Sequence, residues 1–138
     1  MAERRSITGR ADLEDYVAAF NAKDYARQTS YYASDVRYSV GTLTLNSPAE
    51  IAAFYADFHE HAREHVRIAA FAMTGETVAV AIPTRFEPFR DYAKHGLKFT
   101  AGTPLEITTL AFYALKDGQI HRIRMARYGG GMTDFDDA

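Results

Sequence analysis

The hydrophobic period of this chain changes once, near residue 65, from the spacing of helices to the alternation of strands, and that order restricts the folds open to it. Leu13, Tyr16, Val17 and Phe20 recur at helical spacing, with Asp12 placed to cap the helix. A second, short helix is expected from about Asp24 to Tyr32, carrying Tyr25, Tyr31 and Tyr32. Val36 to Val40 alternates as a strand, and residues 41–46 read as a turn with a short extended piece. Ser47-Pro48-Ala49-Glu50 is a strong helix start: the serine caps, the proline fits the first turn, and the glutamate completes a capping box. Ile51, Phe54, Tyr55, Phe58 and Ala62 then mark one buried stripe, expected to run to about Glu64.

Beyond that point the period is two. Val66 to Met73 and Thr77 to Phe89 read as strands around a turn at Thr74-Gly75-Glu76, and Pro83 suggests an edge position or a bulge in the second. Residues 90–102 are polar and irregular, a long hairpin connection or flap. Pro104 to Leu115 and Gln119 to Tyr128 are two further strands joined by a tight turn at Lys116-Asp117-Gly118. Helices followed by a meander of long strands form an α+β plan, in which three N-terminal helices cover a strongly curved, mostly antiparallel sheet. Such a sheet rolls into an open cone whose mouth is a pocket. The 138 residues fit one domain with its core at 11–128 and mobile tails at 1–10 and 129–138.

Several function classes are excluded by composition. Without cysteine there are no disulfides, thiolate nucleophiles or Cys-based metal sites. A net charge of −2 gives no bulk attraction to nucleic acid or to an anionic membrane. Arg4 and Arg5 are not followed by an apolar run, so the start is not a secretory signal, and no stretch approaches the ~18 apolar residues of a membrane span. The expected location is cytoplasmic.

Tyr16, Tyr32 and Tyr55 sit on predicted apolar helix faces. A phenol in such a wall brings an O–H that must find a partner, and three converging phenols would form a donor site for a substrate oxygen. Ile51-Ala52-Ala53-Phe54-Tyr55 after the cap-proline start and Asp117-Gly118-Gln119-Ile120 opening the last strand give this order of elements a family resemblance. From about Asp12 to Tyr128 the chain resembles the nuclear transport factor 2-like superfamily, with its cone-shaped, cystatin-like fold. Within that superfamily it looks most like the SnoaL-like polyketide cyclases and the ketosteroid isomerases. The resemblance implies that Tyr16 hydrogen-bonds the substrate oxygen and that Tyr32 and Tyr55 support it. It also places Tyr38 and Ala111 where a ketosteroid isomerase carries its two aspartates, so a steroid isomerase of that mechanism is not expected.

The missing base leaves Tyr38, His59 and Arg127 as alternatives for proton transfer and orientation. His59 lies one helical turn beyond Tyr55, and a histidine titrates near operating pH. Arg127, which the resemblance places at the cavity rim near Tyr38, would favour a tyrosinate there or clamp an anionic substrate. Strand parity turns Ile82, Thr84 and Phe86, then Ile107, Thr109 and Ala111, then His121, Ile123, Met125 and Arg127 inward. Phe86, Thr109, Ile123 and Met125 are therefore expected to line the substrate site with Tyr32 and Tyr55. His61 and His65 would pair as metal ligands only on a continuous helix; no acidic partner matches, and no metal or other cofactor is expected.

The function expected is a cofactor-free enzyme acting on a small, hydrophobic, ring-containing substrate. A lyase outcome, dehydration or retro-aldol cleavage, is favoured over isomerisation or polyketide-type cyclisation. A non-catalytic ligand-binding or dimerisation module is the reading from another class. The outer sheet face suits pairing into a homodimer that buries Ala126 and Tyr128.

Overall fold

The computed structural model describes residues 3–128. Its elements are α1 (Arg10–Asn21), α2 (Tyr25–Thr29), β1 (Tyr32–Val40), β2 (Leu43–Leu45), α3 (Pro48–Phe58), β3 (Ala62–Val66), β4 (Ala70–Thr74), β5 (Thr77–Pro88), β6 (Tyr92–Lys94), β7 (Leu97–Phe99), β8 (Leu105–Lys116) and β9 (Gln119–Tyr128). Seven strands form one sheet in the order β2-β1-β9-β8-β5-β3, with β4 also paired to β5. Every pairing is antiparallel except β1 with β9. The sheet curls strongly, and α1 and α3 lie across its hollow side, as the α+β cone expected from the order of elements requires.

Local chemistry sets most element ends. The Ser47 hydroxyl accepts the Glu50 amide at 3.1 Å, while the Glu50 carboxylate reaches back to Asn46 and Ser47. Asp12 is not the cap of α1: the helix begins at Arg10 after Gly9, and Asp12 accepts from the Thr8 amide and hydroxyl, both at 2.8 Å. The segment before α1, expected to be mobile, is bonded to the fold from Arg4 onward. The Arg5 amide bonds Ser30, the Ile7 amide bonds Gly118, and the Ile7 side chain is buried. The mobile tail expected at 129–138 lies outside the described residues.

Three boundaries differ from the sequence expectation. Tyr32 opens β1 instead of ending the second helix. Helix α3 stops at Phe58, six residues early, because the chain reverses there: the His61 carbonyl accepts the Phe89 and Arg90 amides, and Ala62 pairs with Pro88. Residues 62–66 are thus a strand, so His61 and His65 lose their helical spacing as a metal pair. Pro83 lies on β5, one strand in from the end of the sheet, and no register shift marks a bulge there. Its carbonyl accepts the Arg67 amide between the end of β3 and the start of β4, so its missing N–H faces that gap.

The polar connection is a short hairpin, β6–β7, docked on the β1–β2 turn through a bond from the Thr42 amide to the His95 carbonyl. Gly41 permits that contact. Its φ is +59°, and a Cβ there would lie 2.0 Å from the His95 carbonyl oxygen. Gly41→Ala is expected to lower the unfolding free energy by more than ~1 kcal/mol in a urea titration, and an unchanged midpoint would show that the hairpin is not held this way.

Candidate active site

A cavity of about 500 Å³ lies between α1, α3 and the concave face of the sheet. Phe54, Phe58, Phe86 and Phe99 form its apolar belt, and Phe58 meets Phe99 and Phe86 at ring-centroid distances of 5.2 and 5.9 Å. The rim is made by exposed Ser39, Gly41 and Gly96, with Met125 and Arg127 from the last strand. Thr109 pairs with Arg127, and Ala111 with Met125, so inward parity on β8 and β9 holds as expected from that level upward. It fails at His121, where a bulge opposite Ala114/Leu115 turns the imidazole outward to Asp35, 3.3 Å away.

Four phenols reach the cavity wall: Tyr16 from α1, Tyr38 from β1, Tyr55 from α3 and Tyr113 from β8. The Tyr16 hydroxyl lies 2.6 Å from that of Tyr32, and the Gln28 amide nitrogen donates to Tyr32 at 3.1 Å. Either hydroxyl can donate in that bond; with Tyr32 as the donor, the Tyr16 proton is left for an acceptor in the cavity. Tyr38 and Tyr55 share a short hydroxyl–hydroxyl bond, which likewise leaves one proton of that pair free. Burial raises every one of these phenols: Tyr32 to about 12, and Tyr16, Tyr38, Tyr55 and Tyr113 well above the ordinary value. They are neutral donors at physiological pH. Tyr38 is therefore not a tyrosinate base, and among the described residues no hydrogen bond joins it to Arg127.

Glu64 is a carboxylate that the sequence put at the end of the third helix. On β3, at the parity of Ala62 and opposite Phe86, it enters the cavity wall, while Arg63 and His65 point out. Its side chain is 9% exposed, and the His59 Nε2 lies 3.0 Å from Oε1. Desolvation raises the Glu64 carboxyl above its ordinary value, and the hydrogen bond from His59 offsets part of that rise. His59 itself is buried and does not line the cavity. The structure bonds it to Glu64 outside the cavity lining.

A family model described as a SnoaL-like domain matches residues 13–123. The chain belongs to that family. No curated protein matches it by sequence. A candidate polyketide cyclase from Xanthomonas campestris pv. campestris superposes with a TM-score of 0.70 at 23% identity, over 83% of this chain and 86% of the other. A Catenulispora acidiphila protein with a ketosteroid isomerase-like fold, bound to trimethylamine, has a TM-score of 0.70 at 14% identity, covering 86% of each chain. A LEH-like epoxide hydrolase from M. tuberculosis has a TM-score of 0.67 at 13% identity, covering 91% of this chain and 86% of its own. At these identities the likeness is one of fold.

In this SnoaL-like domain the cavity brings together Tyr16, Tyr38, Tyr55, Phe86, Thr109, Met125 and Arg127 as the sequence suggested. Tyr32 and Ile123 are displaced from the expected lining: Tyr32 supports Tyr16 from behind, and Ile123 is covered between its ladder partners Tyr38 and Tyr113. Tyr113 was missed although continuing the Thr109–Ala111 alternation reaches it. Glu64 was legible only through the two-residue period Ala62–Glu64–Val66, which the overlong helix concealed. Among the described residues no cluster of three or more His, Asp or Glu could hold a metal, and no helix is long and apolar enough to cross a membrane.

The buried carboxylate carries a stability consequence. Its folded-state value is raised, so the folded chain binds that proton more tightly than the unfolded one, and stability falls as pH rises through the folded value. Glu64→Gln keeps the shape and removes the charge. It is expected to raise the Tm at neutral pH and to lose that advantage below about pH 4, where the carboxyl is protonated in both states. A Tm unchanged or lowered at neutral pH would contradict the burial cost.

Proposed function

We propose that this domain is a cofactor-free enzyme that removes a proton from carbon next to a carbonyl. Glu64 is the general base, and Tyr16, with the free proton of the Tyr38–Tyr55 pair, binds the oxygen on which charge develops. The observation that carries this reading is a single carboxylate, almost fully buried, sharing an apolar cavity with phenols held neutral. Such a site needs both halves: an acceptor for the proton and preorganised donors for the enolate. A cavity of about 500 Å³ belted by phenylalanines suits a ring-containing hydrophobic substrate, and its open volume weighs against a purely structural module.

Proton abstraction is common to the reactions considered; they differ in what the enolate does next. Expulsion of a β-hydroxyl, which leaves as water with the proton returned from Glu64, gives dehydration. If Glu64 instead takes the proton of a β-hydroxyl, the carbon–carbon bond breaks and the tyrosines receive the enolate, a retro-aldol cleavage. We retain the lyase outcome, with isomerisation or cyclisation as alternatives now that a carboxylate is at hand. Relatives of this fold include a candidate polyketide cyclase and an epoxide hydrolase, which fits a small-molecule enzyme. Arg127, exposed at the rim, is assigned to an anionic or phenolic group at the outer end of the substrate. A homodimer through the outer sheet face also belongs to this reading, since Leu110 and Phe112 are 38% and 59% exposed there; a monomer by sedimentation at micromolar concentration would remove it.

The test uses 5-nitrobenzisoxazole, whose ring opens to a coloured phenolate when a base removes its carbon-bound proton. Tyr16→Phe is expected to lower kcat by about 10²-fold with KM little changed, because the donor acts on charge present in the transition state. Glu64→Gln is expected to lower it by 10²-fold or more, on the order of a general base. Wild-type turnover no faster than that of Glu64→Gln would refute the reading.

A further inference from the structure

Two hydrogen-bonded chains run from outside the cavity to its wall. One is Gln28–Tyr32–Tyr16. The other is Tyr25–His59–Glu64, built from α2, the end of α3 and β3, with 2.7 Å from the Tyr25 hydroxyl to His59 Nδ1 and 3.0 Å from Nε2 to Glu64. The His59 ring has little freedom. Tyr25 stacks on it at 5.9 Å and Tyr55 at 5.7 Å, and Phe20 meets it edge-on at 5.4 Å. Both of its nitrogens are thereby aimed along one line.

We propose that Tyr25 and His59 are positioning residues that hold Glu64 as an oriented anion with one oxygen free for the substrate proton. The inference rests on Glu64 being the base. An ionised carboxylate only accepts, so Nε2 carries a proton and donates it to Oε1. With its proton on Nε2 the imidazole accepts at Nδ1 from the Tyr25 hydroxyl, whose other acceptor within reach, the Tyr55 carbonyl, is more distant at 3.5 Å. Tyr25 thus selects the tautomer, the tautomer commits Oε1, and Oε2 is the lone pair left for the cavity. The order of roles differs from a serine-protease triad: here the carboxylate is the reacting group and the imidazole its orienting partner. The other groups facing this chain are the Tyr38 and Tyr55 phenols toward Glu64, and Glu60 toward Tyr25.

The chain has no obvious purpose as a stabilising device, since a buried carboxylate and imidazole could be replaced by apolar side chains. Its geometry does have a catalytic one. A single hydrogen bond to one carboxylate oxygen fixes the plane of the group without consuming both lone-pair sets.

The experiment measures the pH profile of 5-nitrobenzisoxazole opening for the wild type, His59→Phe, His59→Gln, Tyr25→Phe and Glu64→Gln, with Tm recorded for each. His59→Phe is expected to lower kcat about ten- to a hundredfold, the loss when a charged group gives up one hydrogen bond. It should also move the alkaline-rising limb to higher pH, because His59 holds the carboxyl down. His59→Gln, which still presents an N–H, should recover most of the rate. Tyr25→Phe should lower kcat with KM unchanged. In ¹⁵N spectra of the wild-type imidazole, the proton is expected on Nε2, with Nδ1 losing its hydrogen-bond shift in Tyr25→Phe. Variants that lose Tm but keep the wild-type pH midpoint and kcat, or an Nδ1-protonated tautomer, would overturn the positioning role while leaving Glu64 as base. A wild-type rate equal to that of Glu64→Gln would instead remove the base, and this inference with it.

Discussion

Polar groups that enter an apolar hollow must satisfy one another, and in this chain that constraint decides both the packing and the chemistry. Two pairs of phenols, Tyr16 with Tyr32 and Tyr38 with Tyr55, bond hydroxyl to hydroxyl at the cavity wall. A hydroxyl has one proton and two acceptor sites, so a bonded pair always retains one proton for a third partner. The amide of Gln28, buried behind Tyr32, occupies one of that hydroxyl's two acceptor sites. An ionised Glu64 can only accept, while each pair of phenols keeps a proton to give.

The curl of the sheet is what allows these groups to meet. β5 and β8, twelve residues each, run the length of the domain side by side, and β9 carries the curvature across to a parallel contact with β1. Bulges mark the places where the curl tightens, opposite residues 114 and 115 on β8 and between Tyr32 and Arg37 on β1. One bulge turns His121 away from the cavity and so removes a titratable group from the site. Pro83 lies where β5 exchanges one neighbour for another, so its missing N–H falls beside the break between β3 and β4.

How much of this was legible depended on which signal each residue carried. Local chemistry was read well: the capping box at Ser47, the turn at residues 116–118 and the alternation of β8 stand where the sequence put them. The family resemblance supplied Tyr16 and Tyr55, which composition could not have singled out among nine tyrosines. Helix length was misread because Ala62 continues the 3.6-residue stripe of Ile51, Phe54, Tyr55 and Phe58 equally well as it begins a strand. The decision is made by partners distant in sequence, Pro88 and Phe89, which no local pattern reveals. That one boundary hid Glu64 from the site, since on a helix end it faces water and on β3 it faces the cavity.

The position of Glu64 is informative because β3 offered cheaper arrangements. Its neighbours Arg63 and His65 are exposed, so the strand already presents charge to solvent on its outer parity. On the inner parity Ala62 and Val66 are apolar, and Thr84, Phe86 and Pro88 across from them are buried. An apolar residue at 64 would have completed that face at no desolvation cost. The chain places a carboxylate there instead and commits three further side chains to it: His59 by hydrogen bond, Tyr25 through His59, and Tyr55 by stacking on the imidazole. A group that weakens the fold and is surrounded by residues that tolerate it is better explained by use than by packing. The tyrosines alone would describe a pocket that binds an oxygen; the carboxylate opposite them is what makes that pocket a place where a proton can leave.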